Sequence, residues 1–398
     1  MKYDFDTIID RHNTNAIKTD RCKILFGTED VIPLWVADMD FATPDFILDA
    51  IRKRLEHPVL GYTKAPDDFF ALTQQWISAH HSWNLKEEWI GFVPGIVPGL
   101  AFAVQSLTSA GDEVIVQPPV YYPFFNVIKN NNRIIVQNKL KEEEGKFVMD
   151  FDDLEKQFTE HTRLFILCNP HNPGGRVWTK DELLKFANIC ERHNVSVVSD
   201  EIHADMVLPS SKTRHTPFAS ISDWAEQNSV TFMAPTKVFN MPGLISSCYI
   251  IPNAMLRSKF VQHLEASELA SGNIFAYIGA EAAYRHGEEW RKQMLDYVQG
   301  NIDFISDFLK KNIPEIKPML PEASFLVWLD FSRLKFETEK DLFRFAIDEA
   351  GLGLNLGATF GCGGEEHLRL NVASPRSVIE QAMKQLCKAV EKRRTQLL

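Results

Sequence analysis

Between about residue 95 and residue 285, short runs rich in β-branched residues alternate with longer amphipathic stretches. Each run has the composition of a strand and is too short for a typical helix. Strands that alternate in this way with helices are typical of a mostly parallel sheet covered by helices, so the pattern predicts an α/β fold. The runs that we predict as strands cover residues 114–116, 134–136, 164–167, 195–198, 230–233 and 248–251.

The segment between the third and fourth runs has the pattern of a helix start. Thr179 and Glu182 have the spacing of a capping box, in which each side chain bonds the backbone N–H of the other residue. Apolar residues follow with helical spacing. We therefore expect a strand–helix–strand crossover here.

After about residue 285 the regular alternation of strand-like runs and helical stretches ends. A helical pattern near residues 288–311 is followed by an apolar run and then by two further helical patterns. This order favours a second, smaller α+β domain. We expect a large three-layer domain over residues 45–285 and a small domain made of residues 1–44 and 286–398.

Composition and charge argue against several classes of protein. The chain has 398 residues, 45% of them hydrophobic, and can bury a large core. Its formal net charge is −10, and its dense basic cluster, residues 392–394, lies at the C-terminus, which argues against a nucleic-acid partner. Early acidic residues interrupt any secretory signal, no apolar run approaches about 18 residues, and the six cysteines lack zinc-site spacing. We expect a cytoplasmic protein without a membrane segment or a metal.

Polar side chains follow three of the predicted strands. Asn172 lies in a turn after the third strand, Asp200 follows the fourth, and Lys237 lies just beyond the fifth. Ligands of open α/β sheets bind beyond the carboxyl ends of the strands. Taken singly, each residue has an ordinary explanation, as a turn residue, a helix cap or a solvated lysine. Together they suit a cofactor that needs a Schiff-base amine, a ring-nitrogen partner and a hydroxyl partner.

Two further features are compatible with a flat, phosphorylated ligand. The turn at residues 94–99, which includes Gly95, Ile96 and Val97, precedes an apolar helical stretch, and backbone N–H groups at a helix start favour an anion. Tyr121 follows the first predicted strand, where an aromatic ring can stack on a heterocycle. Each feature alone is a weak indication, because many helices and aromatic residues bind nothing.

The segments at residues 169–174, 199–202 and 237–240, in this order, resemble those of the fold-type I pyridoxal-phosphate enzymes of the class I/II aminotransferase superfamily. The resemblance extends from about residue 30 to residue 375. It implies the fold-type I architecture and pyridoxal 5'-phosphate as the cofactor.

Carried over residue by residue, the resemblance assigns a role to each candidate. Lys237 is similar to the lysine that forms the Schiff base and acts as the catalytic base. Asp200 is similar to the carboxylate that keeps the pyridine nitrogen protonated, and Asn172 to the donor to the phenolic oxygen. Arg369 resembles the residue that binds the substrate α-carboxylate, a task that suits a guanidinium group. The residues implied in cofactor binding are Gly95, Ile96, Val97, Tyr121, Asn172, Asp200, His203, Thr236 and Lys237.

Within the superfamily, residues 34–41 and 199–206 are most similar to the MalY/PatB group of cystathionine β-lyases. Tyr62 resembles a tyrosine that reaches the phosphate of the neighbouring subunit, which implies a homodimer. His203 stands where many aminotransferases have tyrosine. Ala234 and Ile245 stand where a phosphate-binding serine and arginine are common, which leaves the phosphate site partly unassigned, with Thr236 as a candidate.

The resemblance implies an α,β-elimination that cleaves cystathionine or a related S-substituted cysteine to a thiol, pyruvate and ammonia. Lys237 would take the α-proton, and Trp35 and Tyr122 would line the pocket for the substrate side chain. An aminotransferase that uses a 2-oxo acid remains an alternative, as does a non-catalytic regulatory module on the same fold. A metal hydrolase built on His171, Asp200 and His203 is a remote alternative.

Overall fold

The computed structural model describes residues 2–396 of the chain, with the side chain of residue 396 left out. Short strands and longer helices alternate along most of this length. The strands are β1 (Ile32–Pro33), β2 (Ile90–Val93), β3 (Glu113–Val116), β4 (Ile134–Gln137), β5 (Lys141–Glu143), β6 (Lys146–Val148), β7 (Thr162–Cys168), β8 (Ser196–Asp200), β9 (Ser229–Met233), β10 (Ser247–Ile250), β11 (Lys317–Met319), β12 (Leu326–Asp330), β13 (Leu352–Gly353), β14 (Asn355–Leu356) and β15 (His367–Asn371).

The helices include the predicted crossover helix, whose capping box forms between Thr179 and Glu182. They are α1 (Ile17–Asp20), α2 (Cys22–Phe26), α3 (Asp45–Leu55), α4 (Phe69–His81), α5 (Ile96–Leu107), α6 (Pro123–Asn130), α7 (Phe151–Gln157), α8 (Lys180–Arg192), α9 (Asp223–Gln227), α10 (Ala254–Ala266), α11 (Ile274–His286), α12 (Glu288–Asn312), α13 (Glu339–Arg344) and α14 (Arg376–Gln396).

The main sheet has seven strands in the order β2-β10-β9-β8-β7-β3-β4. All neighbours from β9 to β4 pair in parallel, whereas β10 is antiparallel to both β9 and β2. The six predicted runs are all strands of this sheet, and the predicted α/β fold class is confirmed. Strand β2 was not predicted from the sequence, because Gly91 interrupts its apolar run. Glycine is needed there because a Cβ would lie 2.1 Å from the ring of Tyr249.

Successive residues of the central strands enter different cores, as a period of two requires. Val114 and Val116 pack with residues of α5 and α6 on one face of the sheet. Ile115 packs with residues of α8 on the other face. The sheet is therefore the middle of three layers, with its strand ends open for a ligand.

A four-stranded sheet, in the order β11-β12-β15-β14, follows later in the chain and carries Arg369 on β15. The long helices α12 and α14 belong to the same part of the chain and share one hydrophobic core with this sheet. The exact division at residues 44/45 and 285/286 stays a prediction. Among the helices of residues 2–396, none is long and apolar enough to span a membrane.

Candidate active site

The three predicted polar groups lie at adjacent strand ends. Cys168, the last residue of β7, pairs with Asp200, the last residue of β8, and Asp200 pairs in turn with Phe232 of β9. The backbone N–H of Asn169 donates to the carbonyl of Asp200 (2.9 Å). Because these strands are parallel and in register, the segments that follow them emerge at the same edge of the sheet.

These segments enclose a cavity of about 320 Å³. All nine residues that the resemblance assigns to cofactor binding within one chain line this cavity. They are Gly95, Ile96, Val97, Tyr121, Asn172, Asp200, His203, Thr236 and Lys237.

Lys237 projects into the cavity, and its Nζ donates a hydrogen bond to the carbonyl oxygen of Ala37. The pKa of Lys237 is lowered to about 8, because burial and the charge of Arg369 outweigh the opposing charges of Asp38 and Asp200. An amine with a pKa near neutrality can both attack a carbonyl and exchange protons, as a nucleophile and base must.

Asp200 is buried, and among the described residues its carboxylate accepts one hydrogen bond, from the backbone N–H of Ile202 (3.1 Å). Burial raises its pKa to about 7. A cationic N–H placed in the cavity beside this carboxylate would therefore stabilise its charged form and receive a hydrogen bond acceptor in return. His203 is also buried, and burial lowers its pKa to about 3, so its ring is neutral near pH 7.

Arg369 lies behind Asn172 and fixes the orientation of its amide. Nη1 of Arg369 donates to Asn172 Oδ1 (3.0 Å), and Nη2 donates to the Trp35 carbonyl (3.0 Å) and to Asn355 Oδ1 (2.6 Å). The Asn172 Nδ2 group is thereby left as the donor on the cavity side. The guanidinium is buried, and its Nε has no hydrogen-bond partner in the described part of the chain.

The predicted turn before α5 takes a conformation that suits glycine. Gly95 has φ 96° and ψ 154° and is the N-cap of α5, so the first free N–H groups of this helix lie at the cavity. Ser246 and Ser247, which the sequence analysis missed, line the same cavity beside Ile245. Ser246 directly precedes β10 and Ser247 begins it, and their position immediately before the strand-like run at 248–251 was the signal that could have indicated them.

The segment before Phe41 is held against the site by two asparagines that the sequence analysis did not assign. Asn371 Nδ2 donates to the carbonyls of Val36 and Asp38, at 2.6 Å each. Asn240 Oδ1 accepts the Met39 N–H (2.9 Å), and its Nδ2 donates to the Met39 and Phe41 carbonyls. These contacts explain why an asparagine follows Lys237 by three residues.

Four predicted site residues do not line this cavity, and the first is Arg369, which contacts the cavity residue Asn172 from behind. Trp35 contacts Arg369 through its backbone carbonyl, while its indole N–H donates to the Lys18 carbonyl. Tyr122 is partly exposed, with its ring 5.6 Å from that of Tyr121. Tyr62 is fully exposed on the surface of the chain.

The three residues of the metal-hydrolase alternative do not form a metal site. Within residues 2–396, no group of His, Cys, Asp and Glu side chains is arranged to hold a metal ion. His171 packs instead against the rings of Phe147 and Trp178, with centroids 5.3 and 5.9 Å away.

Comparison with known proteins gives a consistent family. Residues 29–388 match the family model for aminotransferase class I and II. Cystathionine beta-lyase PatB of Bacillus subtilis is 40% identical over 96% of this chain and 98% of its own length. A PLP-bound putative aminotransferase from Clostridium difficile is 40% identical, has a TM-score of 0.95, and covers 98% of this chain and 100% of its own. A PLP-bound C–S lyase from Staphylococcus hominis is 33% identical, with a TM-score of 0.91 and 98% of each chain covered.

The likeness extends over the strands, the cavity and the later four-stranded sheet, and so includes every segment described above. It confirms the resemblance to the superfamily and to its cystathionine β-lyase group. The chain belongs to the class I and II aminotransferase family.

Proposed function

We propose that this chain is a pyridoxal-phosphate-dependent C–S β-lyase that cleaves cystathionine or related S-substituted cysteines to a thiol, pyruvate and ammonia. The observation that carries the proposal is the convergence of Lys237, Asp200 and Asn172 around one cavity at adjacent strand ends. The 40% identity to a cystathionine beta-lyase supports the reaction class.

The residues of the cavity fit pyridoxal phosphate. Lys237 offers the amine, Asp200 a buried carboxylate for a ring nitrogen, and Asn172 an amide donor for a ring oxygen. The start of α5 at Gly95 and the hydroxyl of Thr236 suit a phosphate. His203 Nδ1 is buried without a hydrogen-bond partner among the described residues, which is consistent with a ligand group beside it.

When bound, pyridoxal phosphate supplies an electron sink for negative charge at the substrate α-carbon. Lys237 Nζ takes the proton from that carbon, and its lowered pKa leaves part of the amine unprotonated near pH 7. Arg369 holds the substrate α-carboxylate with the guanidinium N–H that the protein leaves unpaired. The C–S bond then breaks and sulfur leaves as a thiolate, which the proton held on Lys237 Nζ converts to a thiol, and water hydrolyses the remaining three-carbon fragment to pyruvate and ammonia.

We also propose a homodimer in which Tyr62 contributes to the site of the partner chain. A second cavity of about 670 Å³ adjoins the other side of Lys237 and is lined largely by apolar residues of the N-terminal segment and α3. Ile17, Val59 and Leu60 each expose more than half of their side chains. Apolar surface of this extent near a site favours a protein interface. We propose a cytoplasmic location as well.

An aminotransferase uses the same cofactor and lysine, and the putative aminotransferase among the solved structures favours keeping it as the second candidate. The two reactions differ in their need for an acceptor. The holoenzyme incubated with cystathionine should release pyruvate in the absence of any 2-oxo acid, and Lys237→Ala should abolish this release. Strict dependence on a 2-oxo acid would contradict the lyase proposal and favour the aminotransferase. Pyruvate release that survives in Lys237→Ala would contradict the role of this lysine.

A further inference from the structure

The ionisable residues of the segment from Ser199 to Met206 divide into two pairs, one inside the cofactor cavity and one outside it. Asp200 and His203 line the cofactor cavity, whereas Glu201 and Asp205 do not. Glu201 and Asp205 belong to the part of the sequence that most resembles the lyase group, yet the proposed reaction gives them no task.

Glu201 is held by three hydrogen bonds. Its side chain is fully buried, and Oε1 accepts from Ser199 Oγ (2.7 Å) and from the Phe218 backbone N–H (2.9 Å). Oε2 lies 2.8 Å from Nε2 of His215. Because a carboxylate only accepts, Nε2 of His215 is the donor. These three hydrogen bonds hold the carboxylate of Glu201 in one orientation in the core.

Asp205 is anchored in the same way on the next turn. Oδ1 lies 2.9 Å from His81 Nε2, and Oδ2 accepts from the Trp76 indole N–H (3.1 Å). Burial favours the neutral acid, but the hydrogen bonds from His81 and Trp76 outweigh burial and lower the pKa of Asp205. The backbone carbonyl of Asp205 also accepts from Arg291 Nη1 (3.1 Å).

The two acid–histidine pairs form one cluster. The rings of His81 and His215 meet edge to face, with centroids 5.1 Å apart. Both rings line a separate cavity of about 590 Å³, and among the described residues this cavity shares no lining residue with the cofactor cavity. The cluster therefore lies behind the site and touches neither substrate nor cofactor.

We propose that Glu201 and Asp205, through His215 and His81, are positioning residues that fix the placement of Asp200 and His203 in the site. The Asp200 carboxylate has one hydrogen bond of its own among the described residues, so its placement depends on the backbone that the neighbouring acids anchor. Glu201 follows Asp200 directly, and Asp205 lies two residues after His203, so a change in either anchor displaces a cavity residue. The inference rests on the proposed function, because it assumes a cofactor beside Asp200.

The test compares holoenzymes of wild type, Glu201→Gln and Asp205→Asn. Outer partners of a bound group typically contribute about 10–100-fold to its affinity at metal sites, and we expect a rise of that size in the cofactor dissociation constant. We also expect a shift in the visible absorbance and circular dichroism of the bound cofactor, and a larger change in kcat than in KM. Glu155→Gln is the matched control, since Glu155 pairs with His193 at 2.8 Å on the surface. It should change none of these readouts.

His215→Asn is a milder variant, because it removes one hydrogen bond from Glu201 and keeps the carboxylate. It should shift the cofactor spectrum in the same direction as Glu201→Gln. If the variants lose thermal stability but keep wild-type spectra, cofactor affinity and kcat, the cluster only stabilises the fold and the inference is wrong. A wild-type protein that binds no pyridoxal phosphate would overturn the proposed function first, and this inference with it.

Discussion

Arg369 is the buried residue whose hydrogen bonding best suits a substrate carboxylate. Its two Nη groups are used by Asn172, Trp35 and Asn355, but its buried Nε has no partner in the described chain. Burial lowers its pKa to about 10, so the group remains a cation near neutral pH. A buried cation with a free donor is suited to a carboxylate.

We predict that Arg369→Lys lowers kcat/KM for cystathionine by about 10–100-fold, mainly through KM, because a charge-assisted hydrogen bond contributes about 1.5–3 kcal/mol. Steady-state pyruvate release measures this. Arg257→Lys is the control, since Arg257 on α10 also bonds backbone carbonyls, but its partners Ile251 and Pro252 do not line the cavity, whereas Arg369 bonds the cavity residue Asn172. An unchanged KM in Arg369→Lys would contradict the carboxylate role.

His171 should make the protein sensitive to acid. Burial lowers its pKa from 6.5 to about 3. Between these values the unfolded chain binds the proton more strongly, so stability present at pH 7 is lost as the pH falls. At pH 5 the loss from this group is about 2 kcal/mol. His171→Leu should reduce the difference between urea unfolding free energies at pH 7 and pH 5 by that amount, whereas the exposed His161→Leu should leave it unchanged. An equal pH dependence in wild type and His171→Leu would contradict the assignment.

At the scale of elements, the start of α5 connects backbone conformation to cofactor binding. Gly95 has φ 96°, and a Cβ there would meet its nearest neighbours at 3.5 Å or more, so the cost of a side chain comes from the backbone rather than from crowding. Backbone conformations of this kind cost about 1–3 kcal/mol in other residues.

Gly95→Ala should therefore weaken cofactor binding, whereas its control should not. Both substitutions should lower the melting temperature. The control is Gly111→Ala, because Gly111 has φ 89° in an open turn away from the cavity. It should lower stability and leave the cofactor dissociation constant unchanged, as measured by fluorescence titration of the apoenzyme. Equal effects of the two substitutions on cofactor affinity would argue against α5 as the phosphate site.

Local pattern was sufficient to predict the six strands, the crossover helix and the three strand-end residues, because each depends on neighbours in sequence. It did not predict β2, since Gly91 is explained by a contact with Tyr249 on another strand. It also missed Asn371, whose hydrogen bonds to Val36 and Asp38 cross more than 330 residues. Such contacts depend on how the four-stranded sheet packs against the N-terminal segment, and the periodicity of the sequence carries no information about this packing.

At the scale of the whole molecule, the proposed dimer would bury exposed apolar residues such as Ile17, Val59 and Leu60. We predict a mass in solution of twice the 45.5 kDa of one chain, measured by light scattering. Mixing Lys237→Ala with Tyr62→Ala chains should also restore activity. Half of the randomly mixed dimers are hybrids, and each hybrid has one intact site, so about a quarter of wild-type activity should return. A monomeric protein, or no recovery on subunit exchange, would contradict shared sites.

Lys237 is the residue proposed to hold the cofactor, and borohydride reduction of the holoenzyme is the sharpest test of this assignment. Reduction fixes the cofactor to its lysine, and peptide mapping then identifies the labelled residue. Lys18 is a stringent internal comparison, because it is also fully buried and its Nζ contacts the Asp38 carbonyl (3.4 Å), next to the Ala37 carbonyl bound by Lys237. We predict a visible absorbance band that disappears on reduction and a label on Lys237. A colourless protein, or a label on Lys18 or any other lysine, would contradict it.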